Sequence, residues 1–237
     1  MTRGPIDIYG GKQPKDLPLY PVADAARITR LARATAHDWV LGRRYETRGG
    51  QRRSAPLIRC ADSARGMLSF TNLIELHVLS VLRGKRVRME RIRSATKFIH
   101  ERLGTEHPLA DVDVRTDLVD IYVEYLGQLI SASSTQAQLR PVVERYLHRI
   151  DRDERGIARR LFPVTRADDE GGPRLIVIDP ARRFGRPVLA KANVETATIA
   201  ERFLAGDSTR ALADDFGIDE ASIQEALRFE QALRRAA

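Results

Sequence analysis

Residues 19–53, with the sequence LYPVADAARITRLARATAHDWVLGRRYETRGGQRR, decide the fold of the N-terminal half. Apolar residues recur with helical spacing in a first short run, which is predicted to open at Tyr20-Pro21. A second short helix is predicted roughly from Ala32 to Leu41, and Gly42 ends it because glycine readily adopts the left-handed backbone that closes helices. Two short helices that share a small apolar core across a tight turn form the helix-turn-helix pattern.

The segment after these helices is rich in arginine and predicts a wing. Tyr45 before the flexible tip Gly49-Gly50 and Leu57-Ile58 after it are predicted to pair as a small hairpin. A helix that fits the major groove, next to a guanidinium-rich loop that reaches phosphates, meets the requirements of duplex DNA binding. The alternative is a plain pair of packed helices followed by a solvated basic loop.

The predicted DNA-binding residues divide into two groups by their place in this pattern. Residues at or near base edges are Arg30, Arg33 and His37. Residues that hold phosphates are Arg43, Arg44, Arg48, Arg52 and Arg53. A dimer would place two such units in successive major grooves, with half-sites about one helical turn apart.

The net charge of +8 is unevenly divided along the chain. Residues 1–104 contain 21 Lys and Arg against 9 Asp and Glu, whereas residues 105–237 contain 19 against 23. The N-terminal half therefore suits a polyanionic partner, and the C-terminal half suits a different one.

Composition indicates a soluble globular protein, with 43% hydrophobic and 30% charged residues. No apolar run approaches the roughly 20 residues that span a membrane, and the polar N-terminus lacks the apolar core of a signal peptide. The single cysteine, Cys60, excludes an internal disulfide and fits a reducing compartment. We therefore expect a cytoplasmic location.

The predicted fold class is mainly α with small β elements, an α+β chain of several units. The units are a flexible arm (1–16), a winged helix-turn-helix domain (17–104), a small α+β connecting domain (105–164), a linker (165–173) and a C-terminal trihelical module (174–237). The order of helix-turn-helix, wing and helix pair is that of winged helical regulators of the MerR kind.

Periodicity and turn signals predict the elements inside these units. Helices are predicted after the cap Ser69, from about Met89 to Leu103 with Gly104 as the stop, from Gln138 to about Arg149, over 196–204, from a cap at Asp207 or Ser208 to Phe216, and after the cap Asp219. Strands are predicted at 112–115, 118–123, 127–130, 157–162 and 175–178.

The three C-terminal helices have the spacing of a second helix-turn-helix, but their charge argues against that function. Residues 195–230 contain nine acidic residues against three arginines, and a net charge of −6 would repel phosphates. This module is better suited to a basic protein partner.

Motifs at both ends of the chain resemble VapB-type antitoxins, which are encoded beside PIN-domain toxins. C-terminal pieces of this resemblance are 178–179, 185–189, 199–201, 205–208, 212–213, 215–218, 223 and 226–229. N-terminal and middle pieces are the helix-turn-helix, 68–70, 73–76, 90–93, 104–110 and 160–163. Together the pieces cover most of the chain in a fixed order.

The resemblance implies an antitoxin that silences a PIN-type ribonuclease and represses its own operon through the N-terminal domain. Its partners would be the cognate toxin and operator DNA, in a homodimer or a higher hetero-oligomer with the toxin. The expected toxin-binding residues are the apolar anchors Phe203, Leu204, Phe216 and Phe229, and the arginines Arg186, Arg228, Arg234 and Arg235, which could enter the acidic site of the nuclease. The alternative for the apolar four is an ordinary core.

Motifs for catalysis are missing from the sequence. Its five histidines form no HExxH pattern, and one cysteine cannot build a zinc cluster. His77 and His100 lie on predicted amphipathic helices, where a structural role is the default. The acidic set Asp111, Asp113, Asp117 and Asp120 resembles a nuclease carboxylate cluster only loosely. The chain is therefore predicted to be a non-enzyme without metal or cofactor.

Two other functions remain open on the sequence. One is a stand-alone transcriptional regulator of the MerR kind, whose acidic C-terminal module binds a small ligand or another subunit. The other is an adaptor without a DNA role, which the basic wing argues against.

Overall fold

The computed structural model describes residue 9 and residues 11–47, 49–84, 87–111, 141–165 and 172–235. Its helices are α1 (Val22–Ile28), α2 (Arg33–Leu41), α3 (Phe70–Gly84), α4 (Met89–Leu103), α5 (Pro108–Asp111), α6 (141–147), α7 (Thr196–Leu204), α8 (Thr209–Phe216) and α9 (Glu220–Arg235). Its strands are β1 (Tyr20–Pro21), β2 (Arg44–Thr47), β3 (Gly50–Arg53), β4 (Met67–Leu68), β5 (Ile150–Arg152), β6 (Ala158–Leu161), β7 (Ile176–Val177) and β8 (Val188–Leu189). Helices dominate and the sheets are small, which confirms the predicted fold class.

The first two helices pack as the sequence predicts. Helix α1 buries Val22, Ala25, Ala26 and Ile28, and α2 buries Ala36, Trp39 and Val40. The start of α1 is corrected, because Tyr20–Pro21 forms β1 and pairs with β4 instead of opening the helix. Proline disfavours helical backbone in the residue before it, so Tyr20 is extended and the helix begins only at Val22.

A long buried helix, α3, lies next to this unit and carries much of the main core. The Ser69 hydroxyl accepts the Asn72 backbone N–H at 3.1 Å, and the Asn72 side chain accepts the Ser69 N–H at the same distance. This reciprocal pair confirms Ser69 as the cap of the helix. The following helix, α4, ends at Gly104 in a left-handed conformation (φ 63°), as predicted.

The middle region is described only in part. The predicted strands 112–115, 118–123 and 127–130 lie outside the described residues. Helix α6 lies within the predicted helix 138–149, and β6 confirms the strand predicted at 157–162. Ile150, directly after the predicted helix, begins β5, a strand that the sequence analysis did not predict, and β5 pairs with β6 in an antiparallel hairpin. The pairing of β5 with β6 joins residues that are separated in the sequence, and helical periodicity carries no information about it.

The C-terminal module combines one two-stranded sheet with three helices. Strands β7 and β8 pair antiparallel, and residues from both strands and from α7, α8 and α9 form a separate apolar core. Ser208 caps α8 by accepting the Ala211 N–H at 3.1 Å, and Gly217 ends that helix at φ 64°. Asp219 caps α9 through the Ser222 N–H at 2.7 Å. These caps agree with the sequence prediction, with Ser208 chosen over Asp207.

The contacts that join the C-terminal module to the rest of the chain include two side-chain hydrogen bonds and a backbone bridge. The Tyr20 hydroxyl donates to the Gly185 carbonyl at 2.9 Å, next to α1. Buried Thr165 donates to buried Glu225 of α9. Leu161 of β6 exchanges backbone hydrogen bonds with Ile178. The predicted unit boundaries remain predictions, and the segment 165–173 is described only at its two ends.

A buried arginine also fixes those two ends. Arg149 is 3% exposed, and its guanidinium donates to the carbonyls of Phe162 (2.7 Å), Pro163 (2.9 Å) and Gly172 (3.0 Å). Carbonyls on both sides of residues 166–171 therefore meet at one side chain.

Candidate functional site

The turn between α1 and α2 is tight and presents an arginine. Arg30 adopts a left-handed backbone (φ 58°) and is exposed, while the Leu31 N–H reaches back to the Ala26 carbonyl at 2.9 Å. The Thr29 hydroxyl donates to the Ala25 carbonyl at 2.7 Å and closes the end of α1. This geometry holds the second helix at a fixed angle to the first and leaves the Arg30 side chain in solvent.

The outer face of α2 carries the predicted base-edge residues. Arg33 and His37 are one helical turn apart and exposed, whereas Ala36 and Trp39 are buried on the opposite side. The helix starts without a side-chain cap at Ala32, as the sequence predicts. The exposed face of α2 therefore carries polar side chains of the kind that contact base edges in the major groove. Its buried face packs against α1.

The wing is a hairpin of two four-residue strands, and the second strand differs from the prediction. Tyr45 pairs with Arg52, not with Leu57-Ile58. The backbone N–H groups of Leu57 and Ile58 both donate to the Trp39 carbonyl, at 2.7 and 3.1 Å, so this segment follows α2 instead. Because β3 already begins at Gly50, the second residue of the tip, the hairpin closes sooner than the alternation of apolar residues indicates.

Gly42 sets where the wing leaves α2. Its φ is 78°, and a Cβ atom at this position would lie 2.3 Å from the Ser54 carbonyl oxygen. The Ser54 hydroxyl in turn accepts the Arg43 N–H at 3.0 Å. Only glycine allows the two ends of the hairpin to approach the helix this closely.

The wing arginines are presented to solvent. Arg43, Arg44 and Arg52 are exposed and form no ion pair with the described residues. Arg53 is also exposed, but its guanidinium donates to the Leu41 carbonyl, so it steadies the hairpin against α2 as well. The predicted contact Arg48 lies outside the described residues. Residues 30–53 contain seven arginines against two acidic residues, and this surface therefore attracts phosphates.

A buried carboxylate and a histidine support α3 behind this surface. Glu75 is 2% exposed and accepts hydrogen bonds from Asn72 and from His107 Nδ1, both at 3.1 Å. Burial raises the pKa of Glu75, which His107 partly offsets, and the hydrogen bond to Glu75 raises the pKa of His107. The sequence analysis missed this pair, because its members are 32 residues apart.

The two helix histidines have the structural roles that the sequence predicts. His77 is buried, its Nε2 lies 3.2 Å from the Tyr146 carbonyl, and its ring is 5.2 Å from the Tyr146 ring. Burial lowers its pKa to about 4, so it is neutral at physiological pH. His100 is hydrogen-bonded to the Thr105 carbonyl.

The apolar residues expected to bind a toxin divide into surface and core. Phe203 is 43% exposed and Leu204 is 65% exposed, at the end of α7. Phe216 is half-buried and lies 5.3 Å below the Arg202 guanidinium. Phe229 is 2% exposed and packs in the core of the module. Only the α7 pair is therefore positioned to contact a partner directly.

The expected toxin-binding arginines differ in how they are paired. Arg186 lies 3.1 Å from Glu195, and Arg228 pairs with buried Glu225. Arg234 is exposed and forms no ion pair with the described residues. Of Arg235 only the helical backbone is described.

Acidic side chains do not form a metal site in the described part of the chain. No group of three His, Cys, Asp or Glu side chains there could hold a metal ion. Asp111 is described and accepts the Thr105 hydroxyl at 2.5 Å, whereas Asp113, Asp117 and Asp120 lie outside the described residues. None of the described helices is long and apolar enough to cross a membrane.

Sequence analysis also missed a concentration of arginines around the β5–β6 hairpin. These residues line a hollow between the hairpin and the start of the C-terminal module, and they are Arg152, Arg159, Arg160, Arg174 and Arg182. The density of arginine over 149–160 was a visible signal. Only the antiparallel pairing and the Leu161–Ile178 bridge bring it next to the later arginines.

Two family models match parts of the chain. Residues 18–96 match a family described as "Putative DNA-binding HTH domain". Residues 176–229 match a family described as "Protein of unknown function (DUF433)". The first match contains α1, α2 and the wing, and the second runs from β7 into α9.

Similar proteins from Mycobacterium tuberculosis (strain ATCC 25618 / H37Rv) extend along nearly the whole chain. "Putative antitoxin VapB45" is 29% identical over 231 residues, which is 90% of this chain and 93% of the relative. "Uncharacterized protein Rv2308" is 28% identical over 231 residues, with 93% of each covered.

A solved structure has the same fold. The X-ray crystal structure of Rv2018 from Mycobacterium tuberculosis matches with a TM-score of 0.65 and 24% identity, over 90% of this chain and 98% of that chain. Together with the exposed basic face of α2 and the wing, these matches support a DNA-binding helix-turn-helix domain in the N-terminal half of an antitoxin-like chain.

Proposed function

We propose that this protein is an antitoxin that represses its own operon and neutralises a PIN-type ribonuclease toxin. One observation carries the proposal: the likeness to a VapB-type antitoxin runs through both the basic helix-turn-helix half and the acidic C-terminal module. The two halves have opposite charge, as two different partners require.

DNA binding is assigned to α2 and the wing. Arg33 and His37 enter the major groove from the free face of α2, and Arg30 approaches from the turn. The wing arginines contact phosphates on either side of the groove. A dimer reads two half-sites about one helical turn apart, in the docking geometry of other helix-turn-helix proteins.

Toxin binding is assigned to the end of α7. Phe203 and Leu204 are exposed neighbours there, and large apolar side chains that fill a partner's pocket supply much of the energy of an interface. An arginine directed into the acidic site of a PIN-type nuclease would block it. Arg234 is the first candidate, because Arg186 and Arg228 already pair with glutamates.

The first experiment is co-expression of the tagged chain with its adjacent gene, followed by purification and an RNA-cleavage assay. Co-purification with suppressed cleavage is the expected result. If the neighbour does not bind while operator binding is intact, the stand-alone regulator with a ligand- or subunit-binding module becomes the better assignment.

Surface variants test the α7 site better than truncation does. Removing residues 174–237 would take away the hydrogen-bond partners of Tyr20 and Thr165 and expose these two buried residues, and loss of folding would imitate loss of binding. We expect Phe203→Ser with Leu204→Ser to weaken toxin binding at least about 100-fold, because hot-spot truncations cost about 2 kcal/mol or more.

The matched control for that variant is Ile157→Ser, which removes an exposed apolar side chain from the β5–β6 turn. It should leave toxin binding unchanged, and both proteins should melt like the original chain. Unchanged toxin affinity in the α7 variant would move the docking surface elsewhere.

A further inference from the structure

An arginine-rich cleft of about 720 Å³ lies between the β5–β6 hairpin and the start of the C-terminal module. Five arginines line it, against two aspartates: Arg152, Arg159, Arg160, Arg174 and Arg182, with Asp151 and Asp179. This balance leaves an excess of positive charge in a concave site. Such a site concentrates anions, and guanidinium groups match the oxygens of phosphate by paired hydrogen bonds.

The two aspartates position guanidinium groups without neutralising all of them. Asp179 is shared by Arg160, at 3.2 Å, and Arg182, at 3.6 Å. Asp151 pairs with Arg174, whose guanidinium also lies 3.8 Å over the Phe162 ring. Arg159 is exposed and forms no ion pair with the described residues, so its charge is available to a ligand.

A second hollow of about 910 Å³ adjoins the first. The two hollows share Arg152, Arg159 and Asp179, and the second adds Arg155 and Lys15 together with Asp153 and Glu154. The arginines thus follow a path along the hairpin instead of surrounding one point. A path of this kind suits a ligand that carries several phosphates in a row.

An exposed aromatic residue follows the cleft residues closely in the sequence. Phe184 is 67% exposed and follows the cleft residue Arg182 by two positions, with Arg183 between them. Both Arg183 and Phe184 have a positive φ, of 47° and 52°, in a short 3-10 turn. Left-handed backbone costs a residue with a side chain roughly 1–2 kcal/mol. Strained backbone of this kind clusters at ligand-binding sites, which makes this turn a candidate for one.

Two hydrogen bonds hold that turn in place. The Gly185 N–H donates to the Arg182 carbonyl at 2.9 Å, and the Gly185 carbonyl accepts the Tyr20 hydroxyl at 2.9 Å. The Phe184 ring is therefore presented from an anchored backbone. An anchored ring loses little conformational freedom when a flat group stacks on it.

We propose that this cleft binds a single strand of nucleic acid, with its phosphates on the arginines and one base stacked on Phe184. A basic groove beside an aromatic platform is the arrangement that binds unpaired strands, because every base has a face to stack. Duplex DNA hides those faces, so this site is distinct from α2 and the wing. The inference rests on the cleft alone and does not depend on the antitoxin assignment.

The test is fluorescence anisotropy with labelled 12-nucleotide U and dT strands over a range of salt concentrations. The full chain carries Arg44→Ala and Arg52→Ala, so that the wing contributes less to binding. We expect Phe184→Ala to weaken binding by about fivefold or more. Arg159→Ala should lower the slope of log affinity against log salt by about 0.7, as expected for one lost phosphate contact on a single strand.

Matched controls separate this site from general charge. Arg210→Ala removes an exposed arginine of α8 and should change neither affinity nor slope. Phe184→Leu keeps an apolar side chain without an aromatic face and should weaken binding nearly as much as Phe184→Ala. Equal melting temperatures exclude unfolding as the cause.

Several results would overturn the proposal. Unchanged affinity in both Phe184→Ala and Arg159→Ala would remove the strand from this cleft. If ATP competes as well as a 12-nucleotide strand, the phosphates come from a free nucleotide and not from a strand. Displacement by poly-glutamate at equal charge concentration would reduce the cleft to a general anion surface.

Discussion

The wing and the C-terminal module use arginine in opposite ways. In the wing, Arg44 and Arg52 are exposed and form no ion pair with the described residues. In the C-terminal module, Arg202 lies between Asp207, at 2.7 Å, and Asp215, and these two carboxylates raise its pKa. These two wing arginines keep their charge for a partner, whereas the charge of Arg202 is used inside the module.

This difference shows what a charge count leaves out. Each arginine contributes +1 to the sum, but one paired with a carboxylate projects little field beyond its immediate surroundings. The net charge of −6 over residues 195–230 therefore belongs mainly to acidic groups on the module surface. The field of each region depends on which charges the fold has already paired.

The largest predicted effect on stability comes from disrupting the contact between Tyr20 of the N-terminal half and Gly185 of the C-terminal module. Gly185 has φ 72°, and a Cβ atom there would lie 2.1 Å from the Tyr20 hydroxyl oxygen. We expect Gly185→Ala to lower the free energy of unfolding by about 2–4 kcal/mol, from backbone strain and steric overlap together. Urea denaturation measures this change in the free energy of unfolding.

The control for that change is Gly217→Ala. Gly217 has a similar φ of 64°, but nothing lies within 4 Å of its hypothetical Cβ atom. It should cost about 1–2 kcal/mol, the backbone part alone. In a double-mutant cycle, Tyr20→Phe with Gly185→Ala should cost less than the sum of the single changes. Additive costs would mean that the hydroxyl contact does not couple the regions.

An intermediate effect should follow from removing charge in the wing. We expect Arg44→Ala with Arg52→Ala to lower the salt slope of operator binding by about 1.8, because each lost phosphate contact removes about 0.9. Affinity should fall for all DNA sequences alike, which anisotropy with operator and scrambled duplexes measures. The control is Arg210→Ala in the acidic module, and a comparable loss there would contradict the division of roles.

The smallest predicted effect is a dependence of stability on pH, which arises within the N-terminal half. The hydrogen bond to Glu75 raises the pKa of His107 above its unfolded value. Its protonated form therefore stabilises the fold fully below about pH 6.5, and this contribution is lost as pH rises through the folded pKa. Thermal melts from pH 6 to pH 9 should show a decrease that His107→Gln removes.

His37→Gln is the matched control for the pH series, since His37 is exposed on α2. It should keep the pH dependence of the original chain. A dependence that survives His107→Gln unchanged would assign it to other groups.

Local signals in the sequence predicted most of the described helices and their ends. Ser69, Ser208, Asp219, Gly42 and Gly104 mark helix ends as expected, because caps depend on residues within one turn. The burial of α1 followed from helical spacing alone. Both kinds of signal lie within a few residues of the structure that they determine.

Non-local pairings could not be predicted in the same way. Strand β1 pairs with β4, which lies more than 40 residues later in the chain. Strand β5 directly follows a segment with helical periodicity, and nothing in that periodicity indicates that a strand begins there. The partner strand of the wing was wrong because turn geometry, not apolar alternation, set its register. Phe229 and Phe203 are both apolar residues on helices, and only the packing of the module separates core from surface.

The buried arginine of the middle region has a consequence for how this chain can vary in length. Because Arg149 holds the carbonyls of Phe162 and Pro163 on one side and Gly172 on the other, both ends of the intervening segment are fixed. Doubling the length of a loop between fixed ends costs only about 0.6 kcal/mol. Insertions between residues 166 and 171 should therefore not change how the C-terminal module packs against the rest of the chain. This segment is thus the natural place for a tag or for length differences between related chains.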